Sequence, residues 1–457
     1  MKHACMTLLL ASVAILGCGG GSPTVPGYPA KPGAAETTEA PKAGAAPEPF
    51  PEQIAAAWTK AGAHVGWMRL EPKWNMLVFA AKDKWQMGDV PAFHLVANSV
   101  KDLPRPETPF GLWLQGVAYT DDRMEDVAAF ENLRMLRFTL ATKLTGEGLK
   151  ELRGLKNLQF LDLGGYGDTP INESVLAALA ANGQLHRLTL ARGKDGKRPD
   201  SPQDVVALSP SPNVTLNDSS LRSLKSLGKL ESIQLVGPGF SDASLDSLAN
   251  FENLSELSLA RSAVTDEGLS RLVRVKSLRK LDLSGTKVTD AGLKHLNELK
   301  SLESLLLADT KLTGAGLKDL NALPKLQRLI LDQTRIADAE LSHVKDLTGL
   351  RDLGLARTGV TDAGVQVLCT LKNLKSLDLD GTKITDASLA SLAKAEQLER
   401  LGLSLTAITD VGLKDVQGLK RLKGLDISMT LKTSESAVKQ LQKALPDCQI
   451  SWGVPRY

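Results

Sequence analysis

The chain has 457 residues, 42% of them apolar, enough for a large core but too many for one ordinary compact domain unless the architecture repeats. Fifty-five Lys and Arg stand against 52 Asp and Glu, and the resulting formal charge of +3 gives no electrostatic ground for a nucleic-acid partner. Four cysteines, one of them in the leader, exclude a disulfide-stapled scaffold and a four-cysteine zinc site.

Residues 1–18 read MKHACMTLLLASVAILGC: Lys2 and His3 precede an apolar run from Met6 to Leu16 that closes on Gly17 and Cys18. The run is shorter than the ~20 residues that span a bilayer as a helix, so it reads as an export signal and not as a permanent anchor. Ile15-Leu16-Gly17-Cys18 resembles a bacterial lipobox, with Leu16 departing from the small residue usual there. The resemblance implies that the Cys18 thiol is acylated and becomes the mature N-terminus, which would tether the protein in the cell envelope (periplasm, outer membrane or surface). Residues 19–50 are dominated by Gly, Pro, Ala, Thr and Glu and cannot bury enough surface to offset their ordering entropy. They read as a disordered linker holding its cargo about 30 Å from the anchor.

Residues 51–111 carry four of the six tryptophans, Trp58, Trp67, Trp74 and Trp85. A helix is expected near 51–63 and a strand at Met76–Ala81, together forming a hydrophobic cap. Strand patterns then recur at Leu112, Leu136, Leu161 and Leu188. The interval from Leu188 to Ile233 is 45 residues, and its excess falls near 193–215, an insertion expected to overhang one rim. From Ile233 the period is 24 without slippage: Leu257, Leu281, Leu305, Leu329, Leu353, Leu377, Leu401 and Leu425. Within a unit, Leu281 and Leu283 alternate with outward Lys280, Asp282 and Ser284 as a short strand requires. Leu293, Leu296, Leu299 and Leu302 then give a helical stripe, and Asp290 or the preceding Thr stands where it can cap that helix. The repeats, about 13 units, run to 447, and 448–457 supplies a final strand and cap.

These units resemble the leucine-rich repeat family, in the TxITDxGL form of bacterial secreted and ribonuclease-inhibitor-like members. In place of the family's Asn ladder stand Thr286, Thr310, Thr334, Thr358, Thr382, Thr406 and Thr430. The resemblance implies an α/β fold: a horseshoe solenoid with a parallel concave sheet, helices on the convex side and a cap at each end. For function it is nearly silent, because one fold serves many ligands.

Motifs of zinc hydrolases, serine hydrolases, P-loop enzymes and thiol redox enzymes do not occur. His295, Asp319 and His343 share one helical place, too widely spaced for a single ion. Cys369 and Cys448 lie three units apart, beyond disulfide reach. The outward strand carboxylates Asp282, Asp332, Asp378, Asp380 and Asp426 read as solvated. No aromatic residue occurs between Glu252 and Ser451, so Trp113, Arg137, Phe160, Tyr166, Arg187 and Arg192 are the expected ligand-binding group, on the N-terminal concave face. The reading is therefore a non-catalytic scaffold for a protein or envelope glycan, held at the membrane by lipidated Cys18, with no cofactor, no metal and no nucleic acid. The rival readings are a structural envelope component without a specific ligand, and an enzyme or sensor whose active part is segment 52–111.

Overall fold

The computed structural model describes residues 48–71, 76–96, 99–116, 119–163, 171–208 and 217–453. Cys18 with its leader, the linker from 19 to 47 and Tyr166 lie outside the described residues. Ala46–Tyr457 forms one compact unit. Its N-terminal part is a helix, Glu52–Lys60, followed by β1 (Ala63–Glu71), β2 (Met76–Ala81), β3 (Val90–Leu95), β4 (Phe110–Gln115), β5 (Leu133–Thr139) and β6 (Phe160–Asp162). These strands form one sheet in the order β2-β1-β3-β4-β5-β6, antiparallel through β1 and parallel from β3 onward.

The second sheet has twelve strands. It comprises β7 (Ala191–Arg192), β8 (Ala207–Leu208), β9 (Ser232–Gln234), β10 (Glu256–Ser258), β11 (Lys280–Asp282), β12 (Ser304–Leu306), β13 (Arg328–Ile330), β14 (Asp352–Gly354), β15 (Ser376–Asp378), β16 (Arg400–Gly402), β17 (Gly424–Ser428) and β18 (Gln449–Gly453). From β8 to β18 all pairings are parallel, and the 24-residue anchors sit opposite one another, as in Leu281 against Leu305 and Leu305 against Leu329. A parallel bridge from Leu161 to Leu188 joins the two sheets.

The inserted stretch differs from expectation. Its described part, to Leu208, does not overhang a rim: Ala207 and Leu208 enter the sheet between β7 and β9, with β7 antiparallel to β8. The 45 residues thus hold two sheet positions, Leu208 standing opposite Ile233.

Three short-range devices build each regular unit. The strand leucines Leu281, Leu305, Leu329 and Leu353 are fully buried. The ladder threonines stand at the turn leaving each strand, and each hydroxyl donates to the carbonyl three residues back: Thr286 to Leu283, Thr310 to Leu307, Thr334 to Leu331, Thr358 to Leu355, Thr382 to Leu379, Thr406 to Leu403 and Thr430 to Ile427. Six of these seven bonds are buried, where an unmet carbonyl would be costly. The helix caps are threonines of a different row. Thr265, Thr289, Thr361, Thr385 and Thr409 each accept the amide two residues on.

The aspartate after each capping threonine does not cap its own helix. It reaches into the next unit. Asp242 accepts both the amide (2.8 Å) and the hydroxyl (2.7 Å) of Thr265, and Asp266 does the same for Thr289 at 2.8 and 2.6 Å. The pattern repeats for Asp338 with Thr361, Asp362 with Thr385, Asp386 with Thr409 and, with serine, Asp410 with Ser434. The upstream Asp121 holds Thr145 in the same way. The carboxylate lies where a side chain from the next helix would be: a Cβ on Gly268, Gly292, Gly364 or Gly412 would come within 2.2–2.4 Å of its oxygen. Where a serine replaces that glycine, its hydroxyl donates to the carboxylate instead, as Ser244 does to Asp218 at 2.5 Å.

Removing one such carboxylate leaves an amide and a hydroxyl short of an acceptor at a unit boundary. Asp266→Ala is expected to cost about 1–3 kcal/mol in urea unfolding, against no more than about 0.5 for the exposed Glu252→Ala. Equal effects from the two would show that the carboxylate bears no structural load.

Candidate functional site

The N-terminal face places Trp113, Arg137 and Phe160 together, but under a cover made by the chain itself. One row crosses five strands in register: His64, His94, Trp113, Arg137 and Asp162. His94 stacks on Trp113 with ring centroids 4.0 Å apart, and the Arg137 guanidinium lies 4.5 Å from the Trp113 ring centroid. Burial is the main cause of a lowered His94 pKa. Although β2 pairs only with β1, it crosses this row, and Leu77 of β2 donates its amide to Asp162 (2.8 Å) while its carbonyl accepts from Arg137. Met68, Leu77, Val90, Ala92 and Met135 close a second small core there, against which Phe79, Trp113 and Phe160 pack.

Arg137 is consequently 6% exposed, and its charge is matched by Asp162 at 3.8 Å. Contrary to expectation, Arg137 is therefore not open to a ligand, while Trp113 and Phe160 are left half-buried against this small core. The sequence shows which residues of β5 point away from the main core, but not that a hairpin from 60 residues upstream lands on them.

The arginines expected to join that group are likewise engaged. Arg187 donates to the carbonyls of Leu155 (2.6 Å) and Lys156 (3.2 Å), and Arg192 to those of Thr189 (2.8 Å) and Ala191 (2.9 Å). Arg198, from the inserted stretch, donates to carbonyls of Leu188, Ala191, Gln159, His186 and Arg187 and lies 4.9 Å from the Phe160 ring centroid. Burial, followed by Arg192, lowers its pKa to about 10. Arg198, bonded to carbonyls on both sides, thus closes the seam between the two sheets. Arg198 carries no motif that would have announced this.

The face that stays uncovered among the described residues is that of β9 to β17, and its carboxylates are not simply solvated. Register puts Asp282, Leu306, Ile330, Gly354, Asp378, Gly402 and Asp426 in one outward row. Asp332 and Asp380 stand two residues past the ends of β13 and β15. Glycines at two neighbouring outward positions let these acids lean inward. A Cβ on Gly402 would lie 2.7 and 2.8 Å from oxygens of Asp378 and Asp380, and one on Gly354 2.6 Å from Asp332. Backbone amides hold them there, Ala356 donating to Asp332 (2.9 Å) and Ser404 to Asp380 (2.7 Å). Burial raises the Asp332 pKa to about 6, with Asp378 and Asp352 adding to it, and raises Asp380 to about 7, with Asp378 and Asp426 adding. Asp378 is raised for the same reasons. Arg328, which opposes this rise at Asp332, is committed to Asp352 at 3.2 Å.

Chemically the row is an acidic, half-buried strip on a rigid parallel sheet. It has the geometry to receive cationic groups and no arrangement of nucleophile and base. No group of three or more potential metal ligands occurs among the described residues. Among the described residues the free thiols, half-buried Cys369 and buried Cys448, have pKa values raised by burial.

Strand, turn and helix stacked at a 24-residue period, with sheet and helices in separate layers, define a repeat solenoid of the α/β class. A family model described as "Leucine Rich repeat" matches residues 276–296 and 370–393. The chain carries leucine-rich repeats, and the matched stretches lie within its regular 24-residue array. Among solved structures it is similar to an internalin (inlF) from Listeria monocytogenes, at 20% identity and a TM-score of 0.48, covering 82% of this chain and 94% of that one. It is also similar to the plant peptide hormone receptor RGFR1 in complex with RGF2, at 13% identity, TM-score 0.38, and 81% and 60% coverage. A TLR13–ssRNA13 complex is similar at 20% identity, TM-score 0.44, and 75% and 51% coverage. No curated protein sequence matches the chain.

The acidic strip makes a signed stability prediction. A carboxyl whose folded pKa is raised binds its proton more tightly in the folded state, so ionising it costs stability as pH rises from about 4 to about 7. Asp380→Asn keeps an oxygen for the Ser404 amide and removes that cost. The variant is expected to match the parent at pH 4 and to exceed it in urea midpoint at pH 8. An equal gain at both pH values, or a loss at pH 8, would contradict the burial and repulsion assigned to this group.

Proposed function

We propose that the protein is a non-catalytic binding scaffold, held in the bacterial cell envelope through acylated Cys18, whose sheet face from β9 to β17 receives a basic segment of a partner protein. The observation that carries the reading is the assembly of Asp332, Asp378, Asp380 and Asp426 on one uncovered face, two of them with pKa values raised to about 6 and about 7. Packing like charges against one another disfavours the free protein, and a cationic partner would relieve that repulsion. Binding of this kind strengthens as pH rises through the carboxyl pKa values, because only the ionised strip attracts the partner. Few aromatic anchors stand on this face, so affinity would come from many modest charged contacts and would fall with salt. The tether rests on the apolar run that ends at Gly17–Cys18 and on the linker after it.

Two measurements test the two halves of the proposal. Captured envelope partners should bind the Asp378→Asn/Asp380→Asn/Asp426→Asn variant at least about tenfold more weakly than the parent, and parental binding should tighten between pH 5.5 and 7.5. Binding unchanged by the triple substitution would rule out this face. Cys18→Ser should move the protein from the membrane pellet to the soluble fraction, and a variant that still pellets with fatty-acid label would rule out the tether.

A further inference from the structure

The near-zero net charge of the chain hides a spatial sorting of sign. While carboxylates gather on the sheet face, cations recur along the edge where β13 to β18 begin. The register there is fixed by backbone hydrogen bonds that carry one residue per unit into a single row. Arg351 donates its amide to Gln327 (2.7 Å), Lys375 to Arg351 (2.8 Å), Glu399 to Lys375 (2.7 Å) and Lys423 to Glu399 (2.8 Å). Successive members are therefore about 5 Å apart, the spacing of paired strands.

Two cavities open on this edge. One, of about 210 Å³, is lined by Lys325, Gln327, Arg351 and Asn373 among others. The other, of about 320 Å³, is lined by Lys375, Lys420, Arg421 and Lys423 together with Glu399, Leu422 and Asp447. Four cations there face two carboxylates. The cations are held in place without being used up. Lys420 donates to the Ala444 carbonyl at 3.1 Å, and Arg421 donates to Gln397. Lys375 and Lys423 both donate to Glu399, at 2.8 and 2.7 Å, which brings its carboxyl down to about 2. Each ammonium retains further donors, because a lysine offers three.

We propose that this edge is a binding site for a linear polyanion, carboxylate- or phosphate-bearing, laid across successive strands so that its charges meet Arg351, Lys375, Lys420 and Lys423 in turn. Two features favour a chain over a single small anion: Arg351, Lys375 and Lys423 fill three of the four successive row positions from β14 to β17, and the two cavities lie along the same row. Glu399 is the competing anion of the site, occupying the position between Lys375 and Lys423 that a polymer charge would take. The proposal is independent of the basic partner assigned to the sheet face, since the two use different residues.

The test titrates the full-length chain with labelled polygalacturonate as the carboxylate polymer and with inorganic polyphosphate as the phosphate polymer, from 50 to 300 mM salt. Saturable binding of either polymer is expected, falling steeply with salt as phosphate or carboxylate counterions are released. Preference between the two assigns the source of the anionic groups. Lys420→Ala/Lys423→Ala should weaken binding about tenfold or more, and Glu399→Gln should strengthen it severalfold. Asp378→Asn/Asp380→Asn should leave it within about twofold. The lysine side chains are largely exposed, Lys423 by 73%, and unchanged melting of the variants verifies the fold. Should the double lysine variant fail to fold, Glu399→Gln alone decides. Binding of neither polymer, binding indifferent to Glu399→Gln, or a weakening by that substitution would overturn the site.

Discussion

The bond from an aspartate in one unit to the threonine amide and hydroxyl of the next is the interaction on which the regular array depends. Apolar stacking alone is non-directional and would tolerate slippage between units. A carboxylate that must meet two donors at 2.6–2.9 Å in the neighbouring unit does not. It also sets the residue three positions further along as glycine or serine, because the carboxylate fills that space. One stretch of the array lacks the bond. Gly314 takes the place of an aspartate, and Ala337 and Glu340 take the places of the threonine and glycine that would have met it. Glu340 then occupies the vacated volume, since a Cβ on Gly314 would lie 2.6 Å from the Glu340 Cβ, and its carboxylate accepts the Ala337 amide at 3.3 Å. The three changes compensate one another sterically and in hydrogen bonding, but not fully. The helices on this stretch are 3₁₀ runs without a side-chain cap, Leu317–Ala322 and Glu340–His343, whereas the capped helices Asp266–Leu272, Asp362–Leu368, Asp386–Leu392 and Asp410–Val416 are seven-residue α-helices and Asp290–Leu293, next to the stretch, is a short one.

The same fold that stacks the regular units also decides which faces are available. At the N-terminal end β2 returns across β5 and β6, and the Arg137–Asp162 pair meets both polar groups of the Leu77 peptide as a sheet neighbour would. This satisfies a backbone edge that would otherwise be exposed, and buries β5 on both faces. With that face covered, the uncovered surface among the described residues is that of the C-terminal strands, where acids and bases are segregated onto the sheet face and the strand-start edge.

Much of the architecture was legible because it is written in period and residue type. The 24-residue spacing of Leu257 to Leu425 fixed strand register, and the Thr-Asp pair marked each helix start. What the Asp does was not legible, since a local cap and a bond to the next unit share one spacing pattern. The strand at Leu208 was missed because its neighbours in VVALSP carry too little alternation, and its partner residues are known only once the sheet is built. For the candidate site the lesson is similar. Outward Trp113 and Arg137 read as available because distant cover leaves no mark in local sequence, and Asp378 and Asp380 read as solvated because their half-burial comes from neighbouring strands.

Native-state hydrogen exchange of individual amides tests the role of the inter-unit carboxylate most directly. The amides of Thr265, Thr289, Thr361, Thr385 and Thr409, each bonded to an aspartate of the preceding unit, should exchange slowly and with similar protection. The Ala337 amide, bonded at 3.3 Å to Glu340 of its own unit, should exchange at least about tenfold faster. Equal protection at Ala337 and the threonines would contradict the claim that the carboxylate, beyond leucine packing, couples one unit to the next.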